Sequence, residues 1–486
     1  MQLPISRRDF FKLAGAAAVG TLLSDQIKPS KAKAAAGSTS NYAGRNIPIL
    51  FDADVCVCGG GPAGVATAVN AARNGVSVVL IEKSIALGGL ATLGCVMPMM
   101  SPKVENSATP YVEEITRQLI EHGIDPDDKS GRGACWFNPE VLTLIYDELC
   151  ANANVDVLYN ATIVDAIKNN SNVSTVIVQT IEGLAAVNAK IFVDATGDAY
   201  LARSIGVPAK RGAQKTGLNQ QMSFRFEMAG IDVKQLYKYV VGKLKDNWST
   251  PTKLPYLEIA KTKKTLPIFQ EGIARGELTE EDLVYFQAFT VIGKDGTMSM
   301  NLPQLPKQFS ATDAISYSRA VSYGRIMMNR MAKFLIKNMP GFEHAYISRE
   351  ASMLGARESW RIVGKYVLIE EDYYNQSRFA DAIVRTAYPI DIHDVELDLR
   401  RQLPKGGFYE VPYRALVTDQ IENLIVAGRC ISADFAAQAS VRIQPTCMSM
   451  GEAAGIAAAY ALKNNVNANA VQWERVPNRS YISQPI

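Results

Sequence analysis

Between Phe51 and Glu82 the spacing of apolar positions changes twice. Val55-Cys-Val-Cys58 is apolar without interruption, as a strand buried on both faces is, and Val78 to Ile81 repeats that texture. The stretch between them, from Pro62 to Arg73, is Ala- and Val-rich with helical spacing, and Gly75 follows where a helix would end. A strand, helix, strand unit is therefore expected, with Gly59, Gly61 and Gly64 at its first turn. Gly59 lets the chain leave the strand sharply, Gly61 lets the backbone approach a pyrophosphate, and Gly64 lets the helix lie close to the sheet. Pro62 suits the first helical position. The helix would offer free N–H groups to phosphate, and Glu82 is placed to accept from ribose hydroxyls. The unit reads as a dinucleotide site.

Further along, Gly88 to Gly94 reads as a glycine-rich turn running close to the same ligand. Strands are expected at Val155–Tyr159, Thr162–Ile167, Val173–Gln179 and Ala189–Asp194, the last leading into Ala195-Thr-Gly197-Asp198. From about Gln220 the pattern becomes period two: Ser223-Phe-Arg225-Phe-Glu227-Met228 alternates, and Tyr285 to Leu302 reads as a hairpin turning at Asp295-Gly296. Such strands suit an antiparallel sheet with one face exposed. A long helix is expected from Asp313 to Met339, stopped by Pro340-Gly341, then a returning apolar strand at Asn423–Ala427 and a small-residue helix from Thr446 to Leu462. The fold class expected is α/β: a Rossmann-like nucleotide-binding domain interrupted by an inserted α+β substrate domain with an antiparallel sheet. Its parts would be 51–215, the insert 216–410 and the return 411–470, with a linker at 37–50 and a tail at 471–486.

The first 36 residues carry a separate message. Ser6-Arg7-Arg8-Asp-Phe-Phe-Lys12 precedes an apolar run of about 11 residues from Leu13, and Ala32-Lys-Ala34 and Ala34-Ala-Ala36 follow as small-residue cleavage patterns. This resembles a twin-arginine signal peptide, which implies export of a folded, loaded protein to the periplasm or another extracytoplasmic space. The run is well short of the roughly 20 residues a bilayer-spanning helix needs, and no transmembrane segment is expected in the mature chain.

Composition narrows the partners. The 486 residues are 48% hydrophobic, enough for a large core, and a net charge of +3 with no basic tract beyond the signal argues against nucleic acid. The seven cysteines have no metal or haem spacing, so no metal site is expected; Cys56 and Cys58 should share one face of a strand within the sheet.

A single glycine fingerprint implies one dinucleotide. Gly428-Arg429, followed by Gly451-Glu-Ala-Ala-Gly455, looks like the C-terminal flavin-contacting segment of two-part FAD domains, where a helix N-terminus stabilises negative charge on reduced flavin. With Val193-Asp194-Ala-Thr-Gly197-Asp198, Gly355-Ala-Arg357-Glu-Ser-Trp360-Arg361 and Val411-Pro-Tyr413-Arg414, the chain over nearly all of residues 50 to 465 resembles bacterial FAD-dependent oxidoreductases of the glutathione-reductase-type FAD fold with a fumarate-reductase-like layout. The resemblance implies FAD contacts at Glu82, Gly88, Gly89, Val164, Gly197, Arg429 and Gly451, and in the same segments at Pro62, Ala63, Lys83, Ala195, Gly428 and Met448. No histidine lies in Gly88–Gly94, where covalently flavinylated relatives attach FAD, so noncovalent FAD is expected.

Of three histidines, His122 falls on an amphipathic helix and His344 has no catalytic company. His393 ends Tyr388-Pro-Ile-Asp391-Ile-His393, and alternation puts Asp391 on its side, where a carboxylate could orient the ring for proton transfer; a loop-capping structural role is equally open. Arg357 and Arg361 would stand at i and i+4 on a helix, suited to a substrate anion or a structural salt bridge, and Arg442 precedes the flavin-facing helix. Tyr413 is a reserve proton donor or acceptor. The expected function is a FAD-dependent oxidoreductase moving a hydride between flavin N5 and a small anionic or hydroxylated substrate, with electrons exchanged with an external carrier such as a quinone or cytochrome. A nonenzymatic flavin carrier, or an exported binding protein with a vestigial nucleotide site, stays open beside it.

Overall fold

The structure, a computed structural model, describes residues 33–34, 37–102, 104, 107–122, 135–246, 257–393 and 402–481. Apart from Lys33–Ala34, the expected signal at 1–36 lies outside them. Among the described residues no helix is long and apolar enough to cross a membrane.

The strands expected from the apolar runs form a nine-stranded sheet: β1 (Arg45–Cys58), β2 (Val78–Ile81), β3 (Asp156–Leu158), β4 (Thr162–Asn169), β5 (Asn172–Thr180), β6 (Gly183–Asp194) and shorter neighbours. Along β3, β2, β1, β6 and the returning strand Leu424–Val426 every pairing is parallel, with Val57 beside Val193 and Ile425 beside Val193 on its other edge. β6 then turns antiparallel through β5 to β4. Parallel strands are buried on both faces, which explains their lack of alternation. Cys56 and Cys58 share a face, sulfurs 3.9 Å apart, within the core on one side of the sheet.

On the other side lie α1 (Pro62–Arg73), α2 (Pro110–Glu121), α3 (Pro139–Ala153) and, later in the chain, Gln444–Asn464. The last helix crosses α1 at small residues: a Cβ on Gly451 would strike the backbone of Ala63, and one on Gly455 the carbonyl of Thr67. Helix-to-helix contact is what these glycines serve.

A second sheet has the order β8 (Glu258–Ala260), β9 (Gln287–Thr290), β10 (Met298–Met300), β7 (Phe226–Ala229), β11 (Tyr346–Glu350), all antiparallel. The hairpin turns where expected, with the Val291 N–H donating to Thr297. Phe224, Phe226, Met228, Met298 and Met300 pack beneath the long helix α4 (Ala314–Asn338), whose cap is Asp313 accepting from the Ser316 N–H. The expected exposed face is corrected here. β8, β10 and most of β7 and β9 are buried, and Glu258 of β8 and Gln287 of β9 line a cavity between this sheet and the parallel one.

Glu452, on the helix that crosses α1, is buried beside Thr109 and 3.4 Å from the Tyr111 N–H. Burial raises its carboxyl to about 7, with the Thr109 and Tyr111 hydrogen bonds and Arg73 opposing and Glu114 reinforcing. Between about 4.5 and 7 the unfolded chain releases this proton first, so the folded state loses stability as pH rises through that window. Glu452→Gln is therefore expected to raise the melting temperature at pH 8, by stability on the order of 2 kcal/mol, and to change it little at pH 4.5. Thermal unfolding at the two pH values checks this; an equal offset at both would refute it.

Candidate active site

A cavity of about 740 Å³ runs from the carboxyl ends of the parallel strands to the polar face of the antiparallel sheet. At one end stand Glu82, Lys83, Thr162 and Val164; its floor is Gly59, Gly61 to Ala63, Gly89 to Ala91 and Ala195 to Asp198. Gly59 has positive φ (104°) and no room for a Cβ, which would lie 2.7 Å from the Ala195 carbonyl oxygen. Gly61 is the opposite case: a Cβ there meets nothing within 4 Å, because it would project into the cavity. Glu82 accepts from the Gly60 N–H at 2.7 Å and from Ser84, which fixes the carboxylate at the strand end. Arg429 pairs with Asp198 at 2.6 Å beside Ser359.

At the far end are Arg225, Glu258, Tyr285, Gln287, Asn301, Arg357, Asp391, His393, Arg442 and Gln444. Arg442 donates to the Asp391 carboxylate at 3.1 Å and to its backbone carbonyl at 3.0 Å. His393 Nε2 lies 3.4 Å from Asp391 Oδ2, Nδ1 lies 3.3 Å from Gln304 Oε1, and the ring meets Tyr285 edge-on at 5.7 Å. Both ring nitrogens face oxygens that can only accept, so a neutral imidazole, with its one N–H, satisfies one of them, and the carboxylate is the stronger acceptor. Burial first, then the charge of Arg357, pushes His393 down to about 4, so it is neutral at pH 7. Burial opposes ionisation of Asp391, but hydrogen bonding to His393 and the charges of Arg442 and Arg357 outweigh it and hold this carboxyl well below its usual range. Burial and the neighbouring Arg442 push Arg357 down to about 9, still protonated at neutral pH.

The model of the FAD dependent oxidoreductase family matches residues 54–479. The chain belongs to this family. FAD is its cofactor, and it is an oxidoreductase. A search of curated proteins returned no match. Among solved structures it is similar to a geranylgeranyl bacteriochlorophyll reductase-like protein from Thermoplasma acidophilum, at 13% identity over 87% of this chain and 81% of that one with a TM-score of 0.43. It is also similar to p-nitrophenol 4-monooxygenase from Pseudomonas putida DLL-E4 (12% identity, 88% and 84% covered, TM-score 0.44) and to the flavin-dependent brominase Bmp2 (13%, 87% and 81%, 0.43).

The cavity fits FAD on its own terms. Two helices begin at it, α1 at Gly61 and α5 (Gln444–Asn464) at Ile443, and neither start is capped by a side chain. Free N–H groups at two helix starts suit a pyrophosphate and an electron-rich ring edge. Gly61 leaves the cradle that a side chain would fill. Gly59, Gly61, Pro62, Ala63, Glu82, Lys83, Gly89, Val164, Ala195, Gly197, Gly428 and Arg429 all line the cavity.

Four residues of the expected FAD site sit behind that wall, Gly64 among them in its expected helix-packing role. Gly64 packs on Gly59, Gly88 donates its N–H to the Gly60 carbonyl, and Met448 and Gly451 are buried one turn or more into α5, where Gln444 and Cys447 face the cavity instead. The helix starts earlier than expected, and that moves its exposed turn. Two catalytic candidates are likewise displaced. Trp360–Ile362 is a strand, paired with Ala209–Arg211, so Arg357 and Arg361 do not share a helix face. Arg361 is locked by a salt bridge to Glu358 and by the carbonyls of Ala433 and Gly212, outside the cavity lining. Tyr413 is buried, with its hydroxyl on the Ala468 carbonyl. His122 and His344 are exposed.

Arg225 was not among the expected site residues. The signal lay in the alternating stretch: a charged residue between Phe224 and Phe226, leading into a strand buried in the structure, needs a polar cavity. Its Nε has no partner, and burial pushes it down to about 10.

His393 is predicted to act in its neutral form. A rate that depends on it should be flat above about pH 6 and fall as pH drops through about 4, since protonation removes the ring's basic lone pair. His393→Ala should slow flavin reduction per FAD-loaded molecule by roughly 10²- to 10⁴-fold at pH 7 with the flavin spectrum retained. Stopped-flow reduction and thermal unfolding on one preparation test this: a lower melting temperature with an unchanged rate per loaded molecule would make the residue structural.

Proposed function

We propose that this chain is an exported FAD-dependent oxidoreductase that moves a hydride between the flavin and a small anionic or hydroxylated organic substrate, passing electrons to or from an external carrier such as a quinone or cytochrome. One observation carries the substrate part of this reading: among the described residues, Arg225, Arg357 and Arg442 converge on one end of the cavity against two carboxylates, Asp391 and Glu258. The imbalance is largely withdrawn from water, where an unpaired charge is costly, and a substrate anion would offset it. Bound FAD would supply hydride exchange at its N5. Arg357 and Arg442 bind and orient the anion; Asp391 holds both Arg442 and His393 in place. An anion among the arginines also relieves part of the positive field that depresses His393, so its ring becomes a better proton acceptor once substrate is seated.

The same groups serve oxidation and reduction by microscopic reversibility. The antiparallel sheet supports an enzyme over a bare electron carrier. It walls the cavity with charged and amide side chains, which a carrier exchanging electrons at an exposed flavin edge does not need. Export rests on Arg7-Arg8 and the short apolar run after them.

Purified protein is expected to be yellow and to release all its FAD into the supernatant on acid precipitation. Titration with malonate should perturb the flavin spectrum of the native protein, and Arg357→Gln should weaken that binding at least about 10-fold while FAD content is unchanged. Colour in the acid pellet would show covalent flavin; equal malonate binding by both proteins would remove Arg357 from substrate binding.

Arg7→Lys with Arg8→Lys should leave the protein in the cytoplasm with FAD bound, because loading does not depend on export. Cell fractionation decides, and unchanged extracytoplasmic delivery would end the twin-arginine reading.

A further inference from the structure

The end of the cavity that holds the arginines also has an apolar side. From Val96 to Met100 the chain alternates: Met97 and Met99 are buried, whereas Val96, Pro98 and Met100 are partly exposed and line the cavity. Pro98–Met99 pairs antiparallel with Cys135–Trp136, Pro98 opposite Trp136, and Trp136 is likewise partly exposed at the cavity wall. Its ring stacks on Phe289 of β9 with centroids 5.4 Å apart, and the guanidinium carbon of Arg225 stands 5.6 Å from the same Phe289 ring. Gln444 donates to the Val96 carbonyl at 2.6 Å, so this strip lies beside the start of α5. Arg357 supplies a different surface. Its Nη1 donates to the Gln221 carbonyl, and among the described residues its Nε and Nη2 have no partner. Those two nitrogens form an edge that fits both oxygens of one carboxylate.

Apolar side chains on the wall of a water-filled space are stabilised when an apolar group covers them. A compact dicarboxylate or a hydroxy acid would engage Arg357 and leave this wall wet. An anion with an apolar body engages both. Size bounds that body: the cavity measures about 740 Å³ and must also seat FAD, which leaves room for a ring and not for a long chain. Trp136 favours a flat ring, because aromatic pairs gain beyond the area they bury. The geometry points to an aromatic carboxylate, with its carboxylate on Arg357 and its ring against Trp136 and the strip of Val96, Pro98 and Met100. The inference rests on the anion-binding reading above and adds the rest of the substrate.

The FAD-loaded protein can be titrated, with the flavin spectrum as readout, with benzoate, phenylacetate and trans-cinnamate against acetate, which has the same charge and no apolar body, and hexanoate, whose apolar body is a chain. At least one aryl carboxylate should bind at least about 10-fold more tightly than acetate, and more tightly than hexanoate. Trp136→Ala should remove most of that advantage while FAD content and acetate binding stay as they were. An advantage that survives Trp136→Ala undiminished would overturn the placement of the ring, and hexanoate binding as tightly as the best aryl acid would overturn the ring itself. Comparable binding of acetate and all three aryl acids, each lost in Arg357→Gln, would overturn the apolar assignment and leave the anion site standing. Failure of every carboxylate, malonate included, would overturn both. Should Trp136→Ala lose FAD or melt early, the native protein's ranking of aryl acids, hexanoate and acetate decides alone.

Discussion

The close approach of α1 to the carboxyl ends of the parallel strands, and of α5 to α1, is the constraint from which the site follows. Gly59 and Gly64 remove the side chains that would hold the first turn away from Ala195 and from itself, and Gly451 does the same where α5 meets Ala63. Were any of these contacts wider, the two helix starts would no longer open onto one cavity. As packed, both Gly61 and Ile443 begin helices there, and unpaired N–H groups from two directions face the same space. Cofactor binding is thus a consequence of how tightly two helices can lie on one sheet.

The second sheet works by a different rule. Its apolar positions bury against α4, and an antiparallel sheet of this kind ordinarily gives its other face to water. Here the other face closes over the cavity, so residues that elsewhere would be solvated become a fixed polar wall. That explains why so much charge survives in a largely buried place: Arg225, Glu258, Asn301 and Gln287 are held by each other or by the backbone and turned toward a ligand-sized space. Electrostatics at this end is correlated. Asp391 stays ionised against its burial because His393, Arg442 and Arg357 surround it, and His393 stays neutral because burial and Arg357 oppose its charge.

Much of the first half of this picture was legible in the chain. Unbroken apolar runs, a glycine turn with Pro62 after it and Gly75 at the helix end specify the βαβ unit through local sterics, and Asp313 and Pro340-Gly341 bound the long helix almost to the residue. The alternating period of Ser223 to Met228 announced an antiparallel strand, and the spacing of Asp391 and His393 announced that they meet. These are short-range matters: period, capping, turn conformation.

What covers a face and which side chains converge depend on contacts between residues far apart in the chain, and there only the tertiary structure decided. Arg357 and Arg361, four apart, go to different places because Trp360–Ile362 pairs with a strand some 150 residues earlier, which turns one guanidinium into the cavity and the other onto Glu358. Tyr413 is spent on the Ala468 carbonyl, and the flavin-facing turn of the last helix is at Gln444 because that helix begins before Thr446. Arg225 could be read as polar but not as part of a site until the sheet was seen to close over the cavity. Local sequence sets which elements form and how each may turn, since those energies belong to a few neighbouring residues. The meeting of Arg225, Arg357, Asp391, His393 and Arg442 belongs to no segment, because it exists only where two sheets and a helix start enclose the same space.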